Sequence, residues 1–211
     1  MNETVGSHAL QELMRYCEQH SKATTLARVA AMDYAGARCL LLNGLPAGVM
    51  LGAQAIEKFL KTWLLFSDPA YPVRPLRHSL PRLLEAVIGT YPNQHFPARF
   101  AKVMDRFLRH YEARYPDSPG GLSSMTTAEI KDLDDIVIFL NEHIPCPRNV
   151  KYRTGMYPMV TFSLGIAKTV PPLEQWIKQH NHALGPLIPR INDEHFEVLA
   201  ELYPAGGYLD H

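Results

Sequence analysis

Apolar side chains recur at intervals of three and four residues along most of this chain, and no stretch sustains a period of two. Three- and four-residue spacing lines up one stripe of an α-helix, whereas a half-buried strand needs alternation. The chain is therefore restricted to an all-α architecture. Leu10, Leu13, Met14 and Cys17 form the first stripe, and the polar run Ser21–Thr25 is expected to end or kink that helix. Leu26, Val29, Ala30, Ala37, Leu40 and Leu41 mark a second helix, stopped at Asn43-Gly44, where glycine suits a left-handed cap. Pro46 fits the first turn of a third helix, whose core face is Val49, Ala53, Ile56, Leu60, Trp63 and Leu64.

The loop 67–77 carries three prolines, after which Ser79 can cap a short helix that ends near Gly89. Pro97 opens the next helix, with Phe100, Val103, Met104, Phe107, Leu108 and Tyr111 on one side. Tyr115-Pro116 stops it, because a residue before proline avoids the helical region. Thr126 and Glu129 have the spacing of a capping box, and Ile130, Leu133, Val137, Leu140 and Ile144 carry the stripe to Pro145. Short connections favour antiparallel neighbours, so the expected fold is an antiparallel up-and-down helical bundle.

From residue 145 onward the character changes, because eight of the seventeen prolines fall there. Short helices are expected at about 172–184, closed by Gly185, and at about 193–202, capped by Asn192. Trp176, Ile177, Leu184, Phe196 and Leu199 are too apolar for a disordered tail. The organisation read from this is an N-terminal helix over 1–24, a bundle over 25–145, and a Pro-rich, short-helix extension over 146–211. The extension is expected to dock on the bundle or on a partner subunit.

Twenty-one basic and twenty-one acidic residues cancel, which argues against a general nucleic-acid coat protein but leaves room for a local basic patch. The N-terminal residues lack the basic and apolar regions of a signal peptide, and no run of about 18 apolar residues suggests a membrane span. Three widely spaced cysteines suit thiols in a reducing compartment. A cytoplasmic protein without a membrane association is the expectation.

Candidate polar chemistry concentrates on the third helix. Gln54, Glu57, Lys58 and Lys61 lie three or four residues apart and share one face, with Glu57 and Lys61 in the favourable order for an ion pair. Asp33 falls on the face of Val29, Ala30, Ala37 and Leu40, so its carboxylate needs a partner. Lys58, Lys61 and Arg114 are the candidates. Glu129, Asp132 and Asp135 form an acidic face that is ordinarily solvated. His180, His182 and His195 could suggest a metal, but alternate residues on a helix do not face one way. His180 shares the stripe of Trp176 and Leu184 and is expected to pack there. No glycine-rich phosphate loop occurs, so neither a metal nor a cofactor is expected.

In order, Asp33-Tyr-Ala-Gly-Ala-Arg38, Leu41-Leu-Asn-Gly44, Gln54-Ala-Ile-Glu-Lys-Phe-Leu-Lys61, His78-Ser-Leu-Pro-Arg-Leu-Leu84 and Ala113-Arg-Tyr-Pro-Asp117 resemble the HEPN domain over about residues 25–145. That family includes RNA-cleaving toxins, partners of minimal nucleotidyltransferases and members with no known reaction. The resemblance implies a homodimeric bundle, in a toxin-antitoxin or defence setting. Lys58, Lys61, His78 and Arg114 would then border a groove that contacts a nucleotide or RNA.

RNA-cleaving members carry an arginine, then four to six intervening residues, then a histidine, late in the bundle. Arginine would stabilise phosphorane charge while histidine moves a proton, with no metal required. Arg15/His20 and Arg190/His195 have this spacing. With thirteen arginines and ten histidines, about two such matches arise by chance, and both lie outside the segment that carries the resemblance. The leading expectation is thus a non-catalytic protein that contacts a nucleotide or RNA. The alternatives are a metal-independent endoribonuclease using one of these pairs, and an interaction subunit for a nucleotidyltransferase.

Overall fold

The computed structural model describes residues 3–112, 127–153, 157 and 176–202. Eight α-helices are defined here: α1 (Glu3–Gln19), α2 (Ser21–Leu42), α3 (Ala47–Ser67), α4 (Leu80–Thr90), α5 (Arg99–Glu112), α6 (Thr127–Glu142), α7 (Arg148–Arg153) and α8 (Ile188–Leu202). Short 3-10 turns occur at Arg74–Leu76 and Gly185–Leu187, and no strand is present among the described residues. The all-α expectation holds.

The centre of the molecule is α3, which packs on α2, α4, α5 and α6. Its expected core face is buried in full, and Phe59, Leu65 and Phe66 join it because neighbours surround the helix. The most extensive packing is on α2, where Ala27, Ala30, Ala31 and Ala37 are all buried. Small side chains let two backbones come together. A Cβ at Gly48 would lie 2.6 Å from Leu41 Cγ and 2.8 Å from the Ala37 carbonyl oxygen, so the hairpin has no room for alanine there. The turn between them closes as expected: Gly44 is left-handed at φ 72°, with Gly44 N–H donating to Leu41 O (3.0 Å) and Leu45 N–H to Leu40 O (2.8 Å).

Several local expectations are corrected. Ser21–Thr25 is the first turn of α2, and only His20 interrupts the two helices. Thr24 is buried there because its hydroxyl donates back to the Ser21 carbonyl (3.1 Å), which satisfies it inside the helix. Ser79 precedes α4, but its side chain makes no capping bond. The acidic face of α6 is not simply solvated. Arg106 of α5 binds Asp132, Arg99 binds Asp135 (2.8 Å), and Glu129 is buried. Thr126 and Tyr115-Pro116 lie outside the described residues.

The extension is docked by a buried polar network. Arg38 and Asp134 are both buried and form an ion pair through Nη1 and Oδ2. Tyr34 Oη donates to the other Asp134 oxygen (2.7 Å), and Asn181 Nδ2 donates to Tyr34 Oη (2.8 Å). Arg38 Nε donates to the Trp176 carbonyl (2.7 Å) and Nη2 to that of Gln179. The segment is helical at 176–178 and stops at His180, which takes φ 55° and is exposed rather than packed. Asn181 Oδ1 then accepts the Leu184 N–H (2.9 Å), a local bond that competes with helix continuation. Instead of starting at an Asn192 cap, α8 begins at Ile188, with Pro189 in its first turn, where proline loses no helical bond.

Two predictions follow from these contacts. Arg38→Met leaves a buried carboxylate without its cation and should cost about 3–5 kcal/mol in urea unfolding, while Arg38→Met/Asp134→Leu should recover most of that. Equal losses in the single and double variants would refute the ion pair as the main term. The second concerns α1, which packs against α2, α7 and α8. Burial pushes the Tyr16 hydroxyl from 10.0 up to about 12 and the Cys146 thiol from 9.0 up to about 12. The folded chain keeps protons that the unfolded chain releases, so this stability is complete below about pH 9 and is lost as pH rises toward 12. Melting temperature followed upward from pH 8 should fall across that window, and less steeply in Cys146→Ala.

Candidate functional site

The polar face of α3 meets α2 on one side and the residues that lead into α4 on the other. Lys58 Nζ donates to Asp33 Oδ2, so Lys58 is the partner that Asp33 takes. One turn on, Lys61 Nζ donates to Glu57 Oε1 (2.6 Å). The second Glu57 oxygen faces His78 Nδ1 at 2.8 Å. Glu57 thus joins a lysine and a histidine, and its side chain keeps only 10% exposure. A carboxylate accepts only, so Nδ1 carries the proton in this contact and Nε2 is the nitrogen left for another partner. The His78 side chain is 60% exposed and its ring centroid lies 5.7 Å from that of Tyr111.

Two lysines and two carboxylates cancel, so the cluster gains net charge only when His78 is protonated. Each lysine still has donors beyond the one used here, because an ammonium carries three. The arrangement can orient two cations side by side and hold a histidine beside them. Arg114, the fourth residue expected at this face, lies outside the described residues.

Of the two arginine–histidine pairs, only Arg15 and His20 are both described, and they line different clefts. Arg15 lines surface clefts with Glu12, whereas His20 lines a different cleft with Lys22, Leu65 and Pro69. The His20 ring stacks on Tyr16 at 4.1 Å, and its Nδ1 lies 3.1 Å from the Tyr16 carbonyl oxygen. Arg190 is bound to Glu142 and lies 3.7 Å from Glu194. The same group of charges includes Arg148, paired with Glu197, and Tyr152, whose hydroxyl donates to Glu194. His195 is on α8 with Arg190, where residues five apart diverge by about 140°. Its side chain lies outside the described residues.

Sequence reasoning missed Arg38, Tyr34, Asp134 and Asn181 as a unit. A signal was present: Tyr34 and Arg38 are four apart on an alanine-rich helix, and Asp134 sits between Leu133 and Val137 on a buried stripe. Among the described residues no group of three or more metal-ligating side chains converges.

The paired cluster makes a stability prediction. Glu57→Ala strands Lys61, whose side chain is only 15% exposed, and should cost about 2 kcal/mol in denaturant unfolding. Adding Lys61→Met should return part of that loss. Additive losses in the double-mutant cycle would show that the pair contributes no coupling.

The chain matches no protein-family model, and no curated protein or solved structure matches it.

Proposed function

We propose that this chain is an HEPN-like helical module that contacts a nucleotide or RNA and does not cleave it. The observation that carries the reading is the placement of Lys58 and Lys61 one turn apart on α3, each oriented by a carboxylate, next to the half-open imidazole of His78. A phosphate oxygen approaching this face would take spare lysine N–H donors and the His78 Nε2, while Asp33 and Glu57 keep the ammonium groups in place. Internal neutralisation makes the contact weak, with a salt dependence set by the few phosphates it touches. The cleavage reading draws less support, because Arg190 would have to leave Glu142 and Glu194 before it could meet a phosphate. As the family resemblance implies, the working unit in this proposal is a homodimer, in a toxin-antitoxin or defence setting.

The test is a titration of metal-free protein with ATP and with a labelled single-stranded RNA at several salt concentrations. Sedimentation velocity of the same preparation reads the oligomeric state. Binding should weaken in Lys58→Ala/Lys61→Ala, and the slope of log K against log salt should fall by about 0.7 for each phosphate contact removed. The RNA should remain intact with the parent chain and with Arg190→Ala/His195→Ala. Unchanged affinity in the lysine variant would overturn the site. Cleavage that disappears in the arginine–histidine variant would replace this reading with ribonuclease chemistry, and a monomer would remove the dimer.

A further inference from the structure

Docking of the extension creates a cleft of about 440 Å³ away from the Lys58 face. Its walls come from three parts of the chain: Leu41 and Leu42 at the end of α2, Ile130 and Lys131 on α6, and His180 and His182 in the turn that follows the 176–178 helical segment. Gln179, whose carbonyl is held by Arg38 Nη2, completes the lining. That volume lies in the range of small-molecule sites, about 300–1,000 Å³.

The chemistry of the walls is asymmetric. Leu41, Leu42 and Ile130 offer an apolar surface, while Lys131 and the two histidines offer donors. No carboxylate lines the cleft among the described residues. Lys131 does have an acidic neighbour, Asp135 at 2.9 Å, but that carboxylate is also bound by Arg99 at 2.8 Å. Two cations share one anion, so a positive charge is left over. The Lys131 side chain is 56% exposed and can turn toward the cleft. The turn itself is fixed from below, because the Gln179 carbonyl and Asn181 belong to the Arg38–Asp134–Tyr34 network. His180 and His182 are therefore presented from a held backbone rather than from a free loop.

We infer that this cleft binds a small organic anion that carries an apolar group, such as an arylalkyl or short-chain carboxylate. The apolar part would lie against Leu41, Leu42 and Ile130, and the anionic head would meet Lys131 with His180 or His182. The site is independent of the nucleotide or RNA contact proposed for α3. It depends on the extension, so its occupant would also favour the docked state of residues 176–184.

The experiment is a set of amide-resolved NMR titrations of the full chain with phenylacetate, phenylacetamide and inorganic phosphate. Phenylacetate should give saturable shifts centred on Leu42, Ile130, Lys131 and His182, with the two controls at least about tenfold weaker. Lys131→Glu should weaken phenylacetate by about tenfold or more, and His182→Ala by a smaller factor. Both side chains are exposed, so the amide spectra should report a retained fold. Equal binding of phenylacetamide would overturn the anionic head, and equal binding of phosphate would overturn the apolar wall. Shifts scattered over other surfaces, or phenylacetate binding that survives Lys131→Glu, would overturn the site.

Discussion

A buried guanidinium ties the bundle to residues 176–181 of the extension. An arginine taken out of water must place its five N–H donors, and a carboxylate taken out of water must be neutralised. Arg38 and Asp134 meet the second requirement between them, on α2 and α6. The first is met only with help from the extension, through the carbonyls of Trp176 and Gln179. Those carbonyls lie at the last turn of a helical segment that stops at His180, so they have no helical N–H ahead to receive. The cation thus completes the end of that turn while the turn completes the cation. Residues 176–184 are consequently part of the core arrangement and not an appendage. The cost of a stranded buried charge, about 3–5 kcal/mol, is comparable with much of a small domain's total stability.

The same constraint shapes the surface. With Arg38 holding the turn, Asn181 is drawn inward to Tyr34 and Ile177, and the flanking His180 and His182 remain outside. The cleft against Leu42 and Ile130 is a by-product of this docking geometry. On α3 the logic is different. There the backbone is set by packing on α2, α4, α5 and α6, and the polar stripe is what remains facing outward. Asp33 and Glu57 then align the lysines through local bonds. A rigid helix carries the α3 cluster, and a network between distant segments carries the cleft.

How much of this was legible in the sequence follows the same division between local and distant causes. The α3 core face, the left-handed Gly44 and the Glu57–Lys61 pair depend on spacings of a few residues, and all appear as read. The partner of Asp33 could be narrowed to a few cations because a carboxylate on an apolar stripe needs one. The Arg38–Asp134 pair spans 96 positions and uses carbonyl acceptors, which no side-chain pattern records. That distant demand is also why the helix expected over 172–184 ends early at residue 178, its residues 172–175 lying outside the described ones. Trp176, His180 and Leu184 have helical spacing, yet tertiary bonds from Arg38 and the Asn181 side chain favour an early stop. At α8 the local signal was present but passed over, since Pro189 marks a first turn better than Asn192 marks a cap.

A chain with balanced charge can still separate its charges, and here the separation orders the candidate sites. Arg190 lies among Glu142 and Glu194, which makes it a clamp between α6 and α8 before it is anything else. Lys58 and Lys61 each face one carboxylate, so an incoming anion meets oriented donors but little net field. At the cleft, Lys131 shares the Asp135 carboxylate with Arg99, and the histidines add donors without adding acid. Electrostatic attraction for an anion therefore rises from the first location to the third. The cleft differs also in its leucine and isoleucine walls, which give an apolar group a surface to lie against beside these donors. A phosphate-rich ligand that covers several sites weakly suits the α3 face, and a small amphipathic anion held at one point suits the cleft.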